Sequence, residues 1–136
     1  MTSRRILVAA VVLISIAAIV GAIAQRRTRS GPCTLQVKAA VASRNTPIGR
    51  ATNWNTDMLS IRNADAADWV DPEIAVEPGG YRQRRDFIRS GEQTTFRLND
   101  FANAAGQHWV SLTMTAVRVH VTASMRGEAC SADIPL

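Results

Sequence analysis

The chain has two cysteines, Cys33 and Cys130, set near the two ends of the stretch that can fold, and two thiols so placed can form one disulfide. In an oxidising compartment that bridge closes a loop of about a hundred residues and contributes about 4–5 kcal/mol on chain-entropy grounds. In a reducing compartment the same residues are two buried thiols. An export-type apolar segment upstream favours the bridge. Zinc chemistry is disfavoured, because two Cys and two His without CxxC or HxxxH spacing do not make a tetrahedral ligand set.

The densest basic stretch is YRQRRDFIR at 81–89. On a strand Arg82 and Arg84 face one way and Arg85 and Arg89 the other, so the four guanidiniums form no single stripe. One reading is contact with lipid phosphates, cell-wall anions or a partner protein. The plainer reading is a solvated face paired with Asp71, Glu73 and Glu77 on a neighbouring strand, at about 0–1 kcal/mol per exposed pair. The plainer reading is favoured.

Asp65, Asp68 and Asp71 have the composition of a calcium loop without its ligand density, and a turn followed by a polar strand accounts for them better. His108 and His120 stand alone, with no nucleophile or paired acid close by in sequence. Trp54, Trp69 and Trp109 suit core and rim packing better than a sugar-stacking platform. The sequence holds no GxSxG, HExxH, phosphate-binding glycine loop or dinucleotide fingerprint. No catalytic, cofactor-binding or metal-binding residue is therefore expected, and the chain reads as a non-enzyme. The alternative is a ligand-binding protein or hydrolase whose site is assembled from scattered Asp, Glu and His.

These residues are positioned by two kinds of element. The first is Ile6–Ala24, ILVAAVVLISIAAIVGAIA, which carries no charge. At the helical rise it is about 28 Å long, close to the roughly 30 Å hydrocarbon core of a bilayer. It is expected to be a transmembrane helix, after a short tail at 1–5 and before a linker at 25–32. A second reading is a signal peptide cleaved after Ala24, since Ala22-Ile23-Ala24 is a small-x-small site. Arg4 and Arg5 precede the run, and Arg26, Arg27 and Arg29 follow it. That near tie leaves orientation to be decided by the cysteines.

The flanking arginines also explain the net charge of +5. They are five of the sixteen basic residues, which leaves eleven basic against eleven acidic residues in the rest. A nucleic-acid binder carries its positive charge on the folded domain, so nucleic acid is not an expected partner.

The second kind of element is the strand. Thr34–Val41 alternates, with Leu35, Val37, Ala39 and Val41 on one face. Residues 43–57 read as loop, with Trp54 folded back over the core. Met58–Arg62 turns Leu59 and Ile61 inward. Trp69–Glu77 sets Val70, Ile74 and Val76 against Asp71, Glu73 and Glu77, and Pro72 marks an edge or a bulge. Tyr81–Arg89 reads as a strand, and Thr94, Phe96 and Leu98 give the next inward face. Residues 99–105 suit a helical turn with Phe101 inward. Val110, Leu112 and Met114 share one parity and Val117, Val119 and Val121 the other, so a break is expected near Thr115-Ala116. Ser124–Gly127 reverses the chain into a last strand through Ala129 and Cys130.

About seven short strands at this spacing predict an all-β fold over 33–136, a single small antiparallel β-sandwich of immunoglobulin or fibronectin type. The segments LSIRNADAADW (59–69), IAVEP (74–78), GY (80–81), IRSGE (88–92) and FANAAG (101–106) carry a resemblance. Residues 58–109 resemble small, uncharacterised bacterial domains that follow an N-terminal anchor and are thought to be immunoglobulin-like sandwiches. Those relatives often have an aromatic soon after the last glycine, a place that Trp109 fills. The resemblance implies the fold and brings no activity with it. The sequence thus points to a single-pass envelope protein, held in the cell membrane through 6–24 or secreted if cleaved. Its extracytoplasmic sandwich is expected to contact another envelope protein.

Overall fold

The computed structural model describes residues 32–43 and 57–136. The chain divides into two units, Met1–Pro32 and Cys33–Leu136. The expected transmembrane helix at 6–24, the linker through Gly31 and the Trp54 lid lie outside the described residues. Among the described residues no helix is long and apolar enough to cross a membrane.

The second unit is all β. Its strands are β1 (Cys33–Thr34), β2 (Val37–Ala42), β3 (Met58–Asn63), β4 (Trp69–Glu77), β5 (Tyr81–Arg84), β6 (Phe87–Ile88), β7 (Gln93–Arg97), β8 (Arg118–Met125) and β9 (Glu128–Pro135). One sheet has the order β1-β9-β8-β4-β5, with β6 also on β4, and the other has the order β2-β3-β7. Every pairing is antiparallel except β1 with β9.

Alternation dictates which side chains meet between the sheets. Leu59, Ile61 and Phe96 from the three-stranded sheet share one buried cluster with Trp69, Ile74, Val76, Val119 and Val121 from the other. Each such side chain contributes about 1.5–3 kcal/mol by leaving water. The arrangement is sandwich-like, with Leu98, Phe101 and Trp109 closing one part of the core. Leu98 lies in the 3-10 turn Leu98–Asp100, and Phe101 follows it inward.

The first expected strand is two. Leu35 is buried and its N–H still bonds the Ser131 carbonyl at 3.0 Å, while the Gln36 carbonyl accepts from the Ala64 N–H at 2.9 Å. The chain thus leaves one sheet and joins the other across Leu35-Gln36.

Three expectations are corrected. Val70 does not face inward but is 48% exposed, and Trp69 takes the buried place. The cause is a bulge: from Val70↔Ser124 to Glu73↔Thr122, β4 spends one residue more than β8. Asp71 sits there at φ 49°, beside the Pro72 that marked the irregularity. The expected strand Tyr81–Arg89 is divided, because the Arg85 N–H and Asp86 carbonyl turn back to the Pro72 carbonyl and Asp71 N–H of that bulge.

The third correction concerns 110–117, which is a loop, with Val110 46% and Leu112 70% exposed. The Val110 carbonyl accepts from the N–H groups of Thr113 and Met114 in a tight turn. Ser111 is buried instead, its Oγ accepting from the Asp57 N–H at 3.1 Å and donating to Asn99 Oδ1 at 3.0 Å. The strand resumes at Arg118, with Val119 and Val121 buried and Val117 exposed.

Candidate interaction surface

Cys33 and Cys130 form a disulfide across the parallel β1–β9 pair, where they are register partners. The bridge lies within one sheet and fixes the start of the domain to its last strand.

The four arginines of 82–89 divide between a carboxylate and two aromatic rings. Arg82 Nη1 and Arg84 Nε both reach Glu73, at 3.2 and 2.7 Å, in the cross-strand pairing expected for a solvated face. Arg85 lies over the Phe96 ring at 5.1 Å and Arg89 over the Phe87 ring at 5.5 Å.

Two of the three acids at 65–71 are engaged as well. Asp65 Oδ2 accepts from Trp69 Nε1 at 2.8 Å and from the Gln36 N–H at 3.0 Å. Asp68 Oδ1 accepts from the Ser90 N–H at 2.8 Å. These carboxylates tie turns together, and no group of potential metal ligands occurs among the described residues. His108 Nδ1 meets the Asn99 carbonyl at 3.1 Å, and His120 Nδ1 meets Asp133 across the β8–β9 pair at 2.8 Å. Trp69 and Trp109 are both buried. Trp109 stands edge-on to Tyr81, centroids 5.3 Å apart, and its Nε1 has no hydrogen-bond partner among the described residues.

The sheet edges differ from one another. In a ladder each residue sends its N–H and C=O to one side, alternating along the strand. On the larger sheet both outer strands are partly covered. Arg82 of β5 exchanges N–H···O bonds of 2.9 and 3.3 Å with Ala102. β9 is covered by β1 at Cys130-Ser131 and ends in Pro135, which has no N–H to offer.

Among the described residues the three-stranded sheet is open on both sides. The Asn63 N–H bonds the Glu92 carbonyl, so Ile61↔Thr94 and Leu59↔Phe96 are the bonded pairs of β3 with β7. β3 must therefore bond β2 through Arg62, Ser60 and Met58, opposite Lys38, Ala40 and Ala42. That leaves the backbone groups of Val37, Ala39 and Val41 pointing away from β2, and those of Gln93, Thr95 and Arg97 away from β7. β2 keeps unbroken register with β3 over six residues and has neither proline nor bulge. Its inward side chains Val37, Ala39 and Val41 are half-buried against the core margin.

Sequence reading did not single out this edge or the outer face beside it. The signal was the exposed parity of three separate strands, which only their pairing brings together. No family model, no curated protein and no solved structure matches the chain.

Proposed function

We propose that this chain is a single-pass, membrane-anchored envelope protein whose β domain is a non-enzymatic interaction module, docking a partner strand on an open edge of its smaller sheet. The observation that carries the reading is the contrast between partly covered edges on one sheet and, among the described residues, the unbroken, proline-free and unpaired edge of β2 on the other. Soluble domains protect such edges, because they template strand addition. Among the described residues the larger sheet is partly protected at β5 and β9, and the smaller one is bare at β2.

The apolar, uncharged run Ile6–Ala24 supports the anchor, and the disulfide supports a domain outside the reducing cytoplasm. The strand order also supports the immunoglobulin or fibronectin reading. Taking β2, β3 and β7 as A, B and E, and β4, β8 and β9 as C, F and G, the two sheets follow that Greek key. The resemblance of 58–109 to anchored bacterial sandwiches agrees. An anchor adds avidity by holding the domain at raised local concentration near other envelope components.

The test is photo-crosslinking in intact membranes, with a photoreactive residue at Ala40 on β2, at Thr95 on β7 or, as control, at Arg118 on the outer face of β8. Defined adducts from Ala40 and none from Arg118 are expected. Absence of adducts from both Ala40 and Thr95 would remove the reading.

A further inference from the structure

The outer face of the three-stranded sheet is nine positions in three rows. Lys38, Arg62 and Gln93 are register neighbours, then Ala40, Ser60 and Thr95, then Ala42, Met58 and Arg97. Lys38 and Arg62 are therefore directly opposite one another, a like-charge pairing that works against the fold. None of the eleven acidic residues lies in β2, β3 or β7. Among the described residues Lys38, Arg62 and Arg97 form no ion pair, although Arg82 and Arg84 both find Glu73. With no acid among its nine positions, this face is left cationic and exposed.

Between the cations the surface dips. A depression of about 270 Å³ is lined by Lys38, Ala39, Ala40, Ser60, Arg62 and Gln93. Its floor is low because Ala40 and Ser60 are small, and it reaches the β2 edge at Ala39. At that edge the Ala39 N–H and C=O point away from the sheet, flanked by those of Val37 and Val41.

We propose that this edge and face together take an extended acidic segment of another protein, which adds beside β2 as a fourth strand. Its residues would alternate: apolar side chains on the core side, covering the half-exposed Val37, Ala39 and Val41, and acidic ones on the outer side. A glutamate opposite Ala40 meets only a methyl group there and leans over the depression toward Lys38 and Arg62. The partner strand lies about 10 Å from β3, two strand spacings, which a glutamate and an arginine bridge by leaning toward each other. The acids would neutralise the Lys38–Arg62 pair, and the strand would satisfy the free backbone groups of β2. This inference rests on the open-edge reading above and adds the chemistry of the partner.

The test uses the full chain in phosphatidylcholine nanodiscs and a fluorescent, end-blocked octapeptide of alternating Val and Glu, read by anisotropy. The matching Val/Lys octapeptide is the control. Saturable binding of the Val/Glu peptide is expected, weakening as salt rises. Lys38→Glu with Arg62→Glu should weaken it by about tenfold or more. Ala39→Pro should weaken it as strongly, by removing an N–H that the fold itself does not use. Lys38 and Arg62 are exposed, and Ala39 is half-buried on an edge strand where its N–H serves no bond among the described residues, so thermal unfolding close to that of the parent should accompany the loss.

Loss on Ala39→Pro without loss on charge reversal would keep the open edge and overturn the acidic partner. Loss on charge reversal alone would overturn strand addition at β2, and this inference with it. The inference is also overturned if the peptide does not bind at all. Two such results would name the occupant instead: Ala39-dependent self-association, giving a second copy of this chain, or charge-dependent binding to phosphatidylglycerol vesicles, giving a lipid surface.

Discussion

Cys33 and Cys130 are register partners on the parallel pair β1–β9, 97 residues apart in sequence and joined by the disulfide. β1 has two residues, too few to hold its place by ladder bonds alone, so the bridge is what secures the start of the domain to β9. Replacing Cys130 by Ser should lower unfolding free energy by about 4–5 kcal/mol on the loop-entropy argument. Denaturant unfolding of the oxidised protein and the variant measures this. On intact cells a membrane-impermeant thiol reagent should label the chain only after reduction, which reports sidedness and the bridge together.

Two tryptophans of similar burial should respond differently to the same substitution. Trp69 donates its Nε1–H to Asp65, which also accepts from Gln36 where the chain crosses between sheets. Among the described residues Trp109 donates to nothing. Trp69→Phe loses volume and leaves Asp65 short of a partner, whereas Trp109→Phe loses volume but removes a buried, unsatisfied donor. Trp69→Phe is expected to cost about 1–2 kcal/mol more than Trp109→Phe. Asp65→Ala should cost about 1–3 kcal/mol, and neither calcium nor a chelator should move the melting temperature, because that carboxylate already serves the fold. Chemical denaturation and thermal melts check both.

The sandwich-like pattern was legible because period-two runs such as Leu59–Ile61 and Val119–Val121 each bury one face, and alternation depends only on local sequence. The disulfide was legible from compartment logic and spacing. Val70 was misplaced because one extra residue at the Asp71–Pro72 bulge reverses parity, and nothing in the alternation says on which side of Pro72 the slip falls. The loop at 110–117 was misread because its apolar residues imitate a strand, while the residue that anchors it, Ser111, is polar. The open β2 edge was beyond sequence reading: it exists only once β2 pairs with β3, and Lys38 and Arg62 are neighbours only through that pairing.

Arg82 and Arg84 converge on a single carboxylate, Glu73, whose side chain is 18% exposed against 62% and 79% for the arginines. Solvent screens such pairs strongly. Arg84→Ala should therefore cost no more than about 1 kcal/mol, and Glu73→Gln little more. Arg85→Ala removes the guanidinium over Phe96 and should cost about 0.5–1 kcal/mol. Because these cations already have partners, neutralising Arg84 and Arg85 together should leave binding to anionic vesicles unchanged in a flotation assay. Release from the vesicles would instead restore a membrane role for the 82–89 stretch.

The hairpin joining β8 to β9 turns on two residues, Arg126 at φ 52° and Gly127 at φ 80°, between the register pair Met125↔Glu128. Two positive-φ residues define a type I′ turn, whose twist matches that of the strands it joins. Glycine takes the second place without steric cost, but arginine at the first has a Cβ pressed toward its carbonyl. Asparagine tolerates that conformation better, so Arg126→Asn should raise stability by about 0.5–1 kcal/mol. Gly127→Ala should lower it by about 1 kcal/mol for the opposite reason. The penalty there is backbone strain alone, since nothing lies within 4 Å of an added Cβ. Gly79 is the harsher case: at φ 95° its added Cβ would also stand 2.7 Å from Tyr81 Cε2, on a ring buried against Trp109. Gly79→Ala should therefore cost more than Gly127→Ala, by the amount needed to displace the Tyr81 ring. Urea unfolding of the three variants orders them, and an equal cost for the two glycines would show that the Tyr81 ring yields freely.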